Sequence, residues 1–443
     1  MRKTIIMGAG PAGLAAGYCL AKNKRELVLF EKDSLVGGLS KTLVYKGCRF
    51  DIGGHRFFTD KPEVEVLWQE VLGDKLLKRR RLSRIFYRGK FLDYPLNITN
   101  ILFNIGLISS GCCFLSYLFS QLSFFKKTGS FEEYIVKHFG RRLYKIFFKG
   151  YTEKVWGIPC SSLSSDWAVE RIKGLSLIAA FSATLGLSGH IRTLIKEFYY
   201  PVLGPGMMYE AMAQRIKGLG YSTETDSDVI RVIHDSKKVV SVVIRNKEGK
   251  EFESFGSDFI SSMPITELVN KLYPVPPDYI LETARKLYYR DLLVVNLICA
   301  TRDIFSDNWL YVHSPGVKVS RIQNYKNWSQ AVVQEIDKTT LGLEYFCSSE
   351  EEFWKKSDKE IEGIAAFELK QLGFDAVIED SFVYRAPQAY PVYSLGYRER
   401  VGVLKGYLGQ FNNLLLIGRA GRFQYDNMDS AIISGINAAK SLV

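Results

Sequence analysis

The sequence has few of the residues that build metal sites or thiol redox sites. Only five of its 443 residues are histidines, no two of them have the HxxxH spacing, and the seven cysteines include no CxxC pair. These absences argue against a zinc site and a thioredoxin-like motif, so we predict no metal. An odd number of cysteines is typical of a reducing compartment, and we expect a cytoplasmic protein.

Compact clusters of one charge sign are scarce as well. The formal net charge is +12, but the densest basic cluster is Lys78–Arg81, and the remaining excess is spread along the chain. Nucleic-acid-binding faces concentrate their Lys and Arg residues, so we predict no nucleic-acid partner. The spread positive charge favours a phosphorylated ligand or an anionic membrane surface.

One long segment lacks charge altogether. Residues 94–125 contain no Asp, Glu, Lys or Arg. Four serines of this segment, at positions 109, 116, 120 and 123, fall on one stripe of a helix. A polar stripe of this kind predicts helices that pack on protein, with peripheral contact to a membrane as the alternative.

What the N-terminus does contain is a glycine-rich turn between a strand and a helix. Residues 3–7 predict a short buried strand, residues 8–13 read Gly-Ala-Gly-Pro-Ala-Gly, and an Ala-rich helix follows. In this pattern Gly8 permits a tight turn, Gly10 lets a pyrophosphate approach the backbone, and Gly13 allows close helix packing. The helix N-terminus offers free N–H groups to the phosphates, so the turn predicts a dinucleotide site.

Further residues favour FAD over NAD at this site. The second strand ends at Glu31, whose carboxylate can accept hydrogen bonds from a ribose. Glu31 is followed by Gly37-Gly38 and then by Gly53-Gly54-His55, while residues 414–417 predict a C-terminal strand that leads to a final helix. This arrangement resembles the FAD superfamily that includes the amine oxidases and protoporphyrinogen oxidases. The residues that we expect at the cofactor are Gly8, Gly10, Ala12, Gly13, Glu31, Lys32, Gly38, Leu39, Gly53, Gly54, His55, Gly418, Arg419, Asn427, Met428 and Ser430.

Most of the chain resembles one family of this superfamily, the UDP-galactopyranose mutases, and in particular the eukaryotic-type members. The resemblance is poor across residues 100–130. The segments that carry it are Tyr94–Asn97, Tyr151–Trp156, Ser165–Arg171, Trp309–Tyr311, Arg321–Tyr325, Tyr390-Pro391 and Tyr425.

The resemblance implies a reaction and a set of binding residues. These enzymes interconvert the pyranose and furanose forms of a nucleotide sugar through attack of reduced FAD N5 on the anomeric carbon. It therefore implies a nucleotide-diphosphate sugar as substrate, reduced FAD as the active cofactor and NAD(P)H as a reductant. Arg171 and Arg321 are implied to clamp the diphosphate, and His55 to lie near the flavin N5. The other implied substrate-binding residues are Tyr94, Asn97, Tyr151, Trp156, Trp309, Tyr311, Tyr325, Tyr390 and Tyr425.

Two departures from the family pattern leave the sugar open. Thr152 stands where the family has Asn, and Ile195 stands near the place of a second Asn. Two alternatives to a mutase also stay open. The FAD motifs serve an oxidoreductase of the amine oxidase or protoporphyrinogen oxidase type equally well, and the fold can also serve as a non-catalytic carrier.

The order of these motifs predicts an α/β fold assembled from both chain ends. We expect a Rossmann-type FAD-binding domain from residues 1–90, 202–265 and 400–443. An inserted, mostly helical domain over residues 91–201 would cap the substrate, and residues 266–399 would form a substrate domain with a mixed or antiparallel sheet.

Overall fold

The structure is a computed structural model that describes residues 2–94, 107–122, 129–172 and 196–443. It does not describe the side chains of residues 107–110 and 170–172. The strands are β1 Thr4–Met7, β2 Leu27–Phe30, β3 Thr42–Tyr45, β4 Cys48–Asp51, β5 Leu76–Arg80, β6 Ser83–Tyr87, β7 Lys90–Asp93, β8 Glu197–Pro201, β9 Ser222–Glu224, β10 Asp228–His234, β11 Val239–Arg245, β12 Glu251–Phe255, β13 Asp258–Ser261, β14 Leu272–Tyr273, β15 Tyr289–Cys299, β16 Trp309–Val312, β17 Arg321–Asn324, β18 Thr339–Cys347, β19 Ile378–Pro391 and β20 Leu414–Leu416. The α-helices are α1 Pro11–Lys22, α2 Pro62–Leu72, α3 Leu107–Leu122, α4 Phe131–Phe139, α5 Arg141–Leu143, α6 Gly150–Trp156, α7 Ser165–Ile172, α8 Gly206–Gly218, α9 Ile265–Asn270, α10 Asp278–Arg285, α11 Glu352–Lys355, α12 Asp358–Gln371, α13 Tyr397–Leu408, α14 Gly418–Arg422 and α15 Met428–Lys440.

A five-stranded parallel sheet joins the two ends of the chain. Its strand order is β20-β13-β1-β2-β9, and every pair is parallel. Strands β1 and β2 are buried along their whole length, as expected for a sheet that is covered on both faces. Helices α1, α2, α8 and α15 pack on one face, while the four-stranded sheet β12-β11-β10-β14 covers the other with α9, α10 and α13.

A larger sheet forms the opposite wall of the molecule. Its order is β19-β15-β18-β17-β16-β6-β7, and the long strands β15 and β18 are buried throughout. Side chains alternate between the two faces of a strand, so β15 places Leu293 and Val295 against α12 and places Leu292 and Val294 toward α4, α6 and α7. The predicted fold class, a Rossmann-like domain with helices and a second sheet, is confirmed.

The predicted domain boundaries stay predictions. Strand β6 pairs with β16, so residues 83–87 belong to the larger sheet although the boundary at residue 90 groups them with the cofactor domain. No helix in the described ranges is long and apolar enough to cross a membrane.

Helix α3 turns two of its serines toward the protein. Ser116 accepts a hydrogen bond from the Arg142 amide at 3.0 Å, and Ser120 is buried. The part of the polar stripe formed by Ser116 and Ser120 therefore faces the protein, while apolar residues such as Phe114 and Leu115 are exposed. Part of the segment 94–125, residues 95–106 and 123–125, lies outside the described residues.

Candidate functional site

A cavity of about 450 Å³ lies between the two sheets. One end is formed where β1, β2, β13 and β20 finish, the edge at which ligands bind in open α/β sheets. The other end is formed by the face of the larger sheet that includes Leu292 and Arg321. The cavity brings together many of the residues predicted from sequence: Gly8, Gly10, Ala12, Glu31, Lys32, Gly38, Leu39, Gly54, His55, Trp309, Tyr311, Arg321, Tyr390, Gly418, Arg419, Tyr425, Asn427 and Met428.

Two glycines of the N-terminal turn are required by the protein itself. Gly8 has φ of +100°, and a Cβ at this position would lie 2.3 Å from the Ser262 Oγ. A Cβ on Gly13 would lie 1.9 Å from the carbonyl oxygen of Gly8. A similar approach occurs where α15 crosses α1, since a Cβ on Gly435 would lie 2.1 Å from the Ala12 carbonyl oxygen. These contacts fix the turn and place both helices at the cavity.

Gly10 has a different reason to be glycine. Its backbone is extended, with φ of −76°, and a Cβ would meet only the Gly38 Cα, at an ordinary 3.9 Å. The protein therefore tolerates a side chain here, and the open space lies in the cavity at the start of α1. A ligand phosphate that approaches the backbone would need this space, so the turn fits a dinucleotide.

Glu31 lies beside this turn with its carboxylate inside the protein. Its Oε2 accepts a hydrogen bond from the Ala9 amide at 2.7 Å, and its Oε1 accepts one from the Asp33 amide at 3.0 Å. Burial raises the pKa of Glu31, and the two amide donors oppose that rise. Each carboxylate oxygen has a second lone pair, so Glu31 can still accept from a ribose hydroxyl.

His55 lies in the middle of the cavity wall. Its Nδ1 is 3.2 Å from the carbonyl oxygen of Gly53, which itself has φ of +83°. Burial, together with the nearby cations Arg419 and Arg321, lowers the pKa of His55 to about 3. The imidazole is therefore neutral near pH 7 and can donate a hydrogen bond without adding charge.

Arg321 and Glu344 form an ion pair at the far end of the cavity. The Arg321 Nη2 is 2.6 Å from the Glu344 Oε2 and donates to the Tyr390 hydroxyl at 3.2 Å. The Glu344 side chain is fully buried, and its Oε1 accepts a second hydrogen bond from Gln323 at 2.6 Å. The guanidinium Nε is buried without a partner among the described residues. The pair orients the guanidinium while balancing its charge.

A second arginine packs between aromatic rings next to this pair. Arg419 lies 5.1 Å from the ring centroids of both Tyr390 and Tyr425, and its Nε donates to the Asp426 carbonyl at 2.8 Å. The two tyrosine rings are stacked at 5.5 Å. Burial raises the pKa of Tyr390, against the opposing effect of Arg321. The Tyr390 hydroxyl therefore keeps its proton near pH 7.

Strand β16 contributes the remaining aromatic wall. Trp309 and Tyr311 line the cavity with their rings 6.3 Å apart, and the Tyr94 ring lies 4.8 Å from Tyr311. Arg81 lies over both Tyr94 and Trp309 at 5.1 and 5.5 Å. This wall offers flat faces suited to a ring-shaped ligand.

Seven of the described residues that were predicted to bind substrate or cofactor do not line the cavity: Gly13, Gly53, Tyr94, Tyr151, Trp156, Tyr325 and Ser430. Tyr325 is buried, and its hydroxyl donates to the Asp51 carbonyl at 2.7 Å, so the donor assigned to the diphosphate is already used inside the protein. Tyr151 stacks on His313 at 4.1 Å, and Trp156 is buried against Trp167. Ser430, in the first turn of α15, is not among the lining residues.

Two other predicted residues fall outside what the structure describes. Asn97 lies outside the described ranges. Arg171 lies on α7, but its side chain is among those not described. The two-arginine clamp therefore stays a prediction.

The cavity also contains residues that the sequence analysis missed. Lys41 is buried, and its ammonium lies 2.5 Å from Asp33 and 5.9 Å from the Tyr384 ring centroid. Its position three residues after Gly38, a predicted cofactor residue, was the sequence signal that could have indicated it. Val229 and Tyr384 line the cavity from β10 and β19, and they follow no local motif because strand pairing alone brings them there.

The comparisons with known proteins agree with this architecture. Residues 6–71 match the family model of an NAD(P)-binding Rossmann-like domain. A 1-hydroxycarotenoid 3,4-desaturase from Flavobacterium sp. (strain P99-3) is 32% identical over 104 residues, which are 23% of this chain and 21% of that protein. The chain thus matches about a fifth or less of the length of its first curated relatives.

Solved structures resemble the chain over its whole length. Reduced UDP-galactopyranose mutase has a TM-score of 0.86 at 21% identity, covering 100% of this chain and 94% of the other. A protein from Exiguobacterium sp. 255-15, assigned to the protoporphyrinogen oxidases, has a TM-score of 0.77 at 15% identity and covers 100% and 98%. At these identities the similarity establishes the fold. The Rossmann-like domain of the family model matches the part of the structure that contains α1, β2 and the end of β1.

Proposed function

We propose that the protein is a flavin-dependent nucleotide-sugar mutase similar to UDP-galactopyranose mutase. The observation that carries the proposal is the position of Arg321, Tyr390 and Arg419 in the same cavity as the glycine turn. FAD would lie along the turn and extend toward His55, and the substrate diphosphate would lie toward the arginines. The likeness to reduced UDP-galactopyranose mutase across the whole chain supports this assignment.

Reduced FAD would supply the nucleophile for the anomeric carbon, and the net reaction involves no redox change. The task of the protein is to hold the substrate and stabilise the departing diphosphate. Arg321 would donate through guanidinium atoms that Glu344 does not use, and charge-assisted hydrogen bonds of this kind are the strong ones. Because Glu344 balances its charge, Arg321 can bind a diphosphate without retaining it permanently.

The tyrosine hydroxyls and His55 would complete the site. Tyr390 keeps its proton and can donate to the diphosphate from the position where Arg321 holds it. Neutral His55 would position the reacting ring of the cofactor rather than transfer a proton to it. NAD(P)H is the proposed reductant, and Arg171 is the proposed second phosphate ligand.

A flavin-dependent oxidoreductase is the second candidate. Glu344 balances the charge of Arg321, which also suits a substrate without phosphate. The aromatic wall of Trp309 and Tyr311 could contact an apolar substrate. The fold likeness to a structure assigned to the protoporphyrinogen oxidases is consistent with it.

A turnover assay distinguishes these functions. The purified protein is checked for bound FAD, reduced with dithionite without oxygen, and incubated with UDP-galactofuranose or UDP-galactopyranose before chromatography of the nucleotide sugars. We expect interconversion in the reduced sample and none in the oxidised control. Loss of activity in Arg321→Lys but not in the exposed Arg302→Lys would locate the reaction at this cavity.

The other outcomes are equally informative. A flavin spectrum that responds to UDP without interconversion would retain the diphosphate site and point to another sugar. No response to UDP, together with reduction of the oxidised flavin by an amine or porphyrinogen, would replace the mutase by the oxidoreductase.

A further inference from the structure

Helix α3 is turned so that its apolar side faces away from the protein. Its buried side consists of Cys113, Tyr117 and Ser120, which repeat at helical spacing. Its other side presents large apolar residues whose exposed fractions range from 43% to 78%: Phe114, Leu115, Leu118, Phe119 and Leu122. A helix on the surface of a globular protein normally has the reverse arrangement.

The polar residues of α3 fix this orientation. Ser116 accepts from the Arg142 amide at 3.0 Å, and Gln121 donates to the Lys137 carbonyl at 2.6 Å. The backbone is close as well, since a Cβ on Gly140 would lie 2.8 Å from the Tyr117 Cα. The exposed apolar face is therefore held outward by specific contacts to α4 and α5.

The segment that packs next to α3 is basic. Residues 134–152 contain five Lys or Arg residues and no Asp or Glu. These five residues are all exposed: Lys137, Arg141, Arg142, Lys145 and Lys149. The backbones of two of them, Lys137 and Arg142, form the hydrogen bonds to α3. An apolar helix face beside a cationic segment matches the two features that bind proteins to anionic bilayers.

We propose that the exposed face of α3 docks on an anionic phospholipid surface. Phe114, Leu115 and Leu118 enter the boundary between headgroups and acyl chains, and the basic segment 134–152 contacts the lipid phosphates. Cys113 on the buried side of α3 belongs to the hydrophobic cluster against which Tyr311 of the cavity wall packs. This inference does not depend on which reaction the protein catalyses.

Co-sedimentation of the full chain with vesicles tests the proposal. We expect binding to phosphatidylglycerol vesicles, weaker binding to phosphatidylcholine vesicles, and a decrease as salt rises. The variant Leu115→Glu with Leu118→Glu should reduce the bound fraction about tenfold. The matched control is Phe255→Glu with Val275→Glu, on residues that are 61% and 69% exposed near the four-stranded sheet, and it should bind like the wild type.

A second measurement reports directly on the helix and does not require a substitution in it. Cys112 is exposed on α3, whereas Cys19 is half-buried and the other five cysteines are buried. An environment-sensitive fluorophore attached to Cys112 should shift to shorter wavelength when phosphatidylglycerol vesicles are added.

Three results would overturn the proposal. The first is that the wild type does not bind vesicles. The second is that the control variant loses as much binding as Leu115→Glu with Leu118→Glu. The third is that the wild type does not bind vesicles but forms a dimer in solution, which Leu115→Glu with Leu118→Glu dissociates. The last result would assign the face to a second copy of the chain.

Discussion

The two ends of the cavity are constrained in different ways. At the glycine turn the constraint is steric and local, since a Cβ on Gly13 would lie 1.9 Å from the carbonyl oxygen of Gly8. At the arginine end the constraint is electrostatic and long-range, since β17 contributes Arg321 and β18 contributes Glu344. At the glycine end, different residues serve folding and ligand binding: Gly8 and Gly13 are required by the packing of the protein, and Gly10 leaves space for a ligand. At the arginine end, the same ion pair serves both purposes.

The largest expected effect separates the two kinds of glycine. Gly13→Ala should lower the free energy of unfolding of the flavin-free protein by about 3 kcal/mol or more, because its Cβ collides with backbone. Gly10→Ala should leave that free energy within about 1 kcal/mol but weaken flavin binding about tenfold. Urea unfolding and flavin retention on gel filtration measure both. Equal losses of stability would break the distinction.

At the arginine end, Glu344→Gln tests the ion pair. Removing the carboxylate leaves the Arg321 cation partly buried, and we expect the free energy of unfolding to fall by about 3 kcal/mol. The control is Glu379→Gln, which removes an ion pair to Lys338 from a carboxylate that is 48% exposed, and it should cost less than about 0.5 kcal/mol. A small effect of Glu344→Gln in urea unfolding would show that the pair is dispensable.

Between the two ends, His55 predicts a pH dependence. Its folded-state pKa of about 3 lies below the ordinary value of 6.5, so the unfolded chain gains a proton that the folded chain does not. The stability due to neutral His55 is complete above pH 6.5 and is lost as the pH falls toward 3. Below pH 6.5, His55→Gln should reduce the slope of the free energy of unfolding against pH by up to about 1.4 kcal/mol per pH unit. An unchanged slope would contradict the lowered pKa.

The smallest expected effect distinguishes two tyrosines of the predicted set. Tyr390→Phe removes the hydroxyl that accepts from Arg321 in the cavity and should weaken UDP binding about fivefold with little change in stability. Tyr325→Phe removes a buried bond to the Asp51 carbonyl and should lower stability by about 1 kcal/mol without changing UDP binding. Calorimetric titration and urea unfolding provide the two readouts, and the reversed pattern would place Tyr325 at the ligand instead.

Sequence reasoning succeeded where a site is built from neighbouring residues. The turn over residues 8–13 and Glu31 could be predicted because strand, turn and helix follow one another in the chain, and the parallel pairing of β1 with β2 keeps them adjacent. It did not predict Glu344, because which carboxylate faces Arg321 depends on the register of β17 against β18. It also did not predict the bond from Tyr325 to the Asp51 carbonyl, because this bond joins the residue after β17 to the separate sheet of β3 and β4.

Helix α3 shows a further limit of sequence patterns. The spacing of its serines predicted a polar stripe, and Ser116 and Ser120 do share one side of the helix. Periodicity cannot tell which side of a helix faces the protein, because that depends on what the neighbouring elements offer. Here α4 and α5 offer polar backbone groups, which bind the serine side and leave the apolar side exposed.

We propose that one cavity holds the dinucleotide at the glycine turn and a diphosphate at Arg321. The most direct test of this proposal is titration of the flavin-containing protein with UDP, followed by flavin absorbance, in the wild type and in Arg321→Lys. We expect a saturable spectral change whose dissociation constant rises about tenfold in the variant at unchanged flavin content. A flavin spectrum that does not change when UDP is added, or equal affinities for UDP in the two proteins, would contradict the proposed diphosphate site.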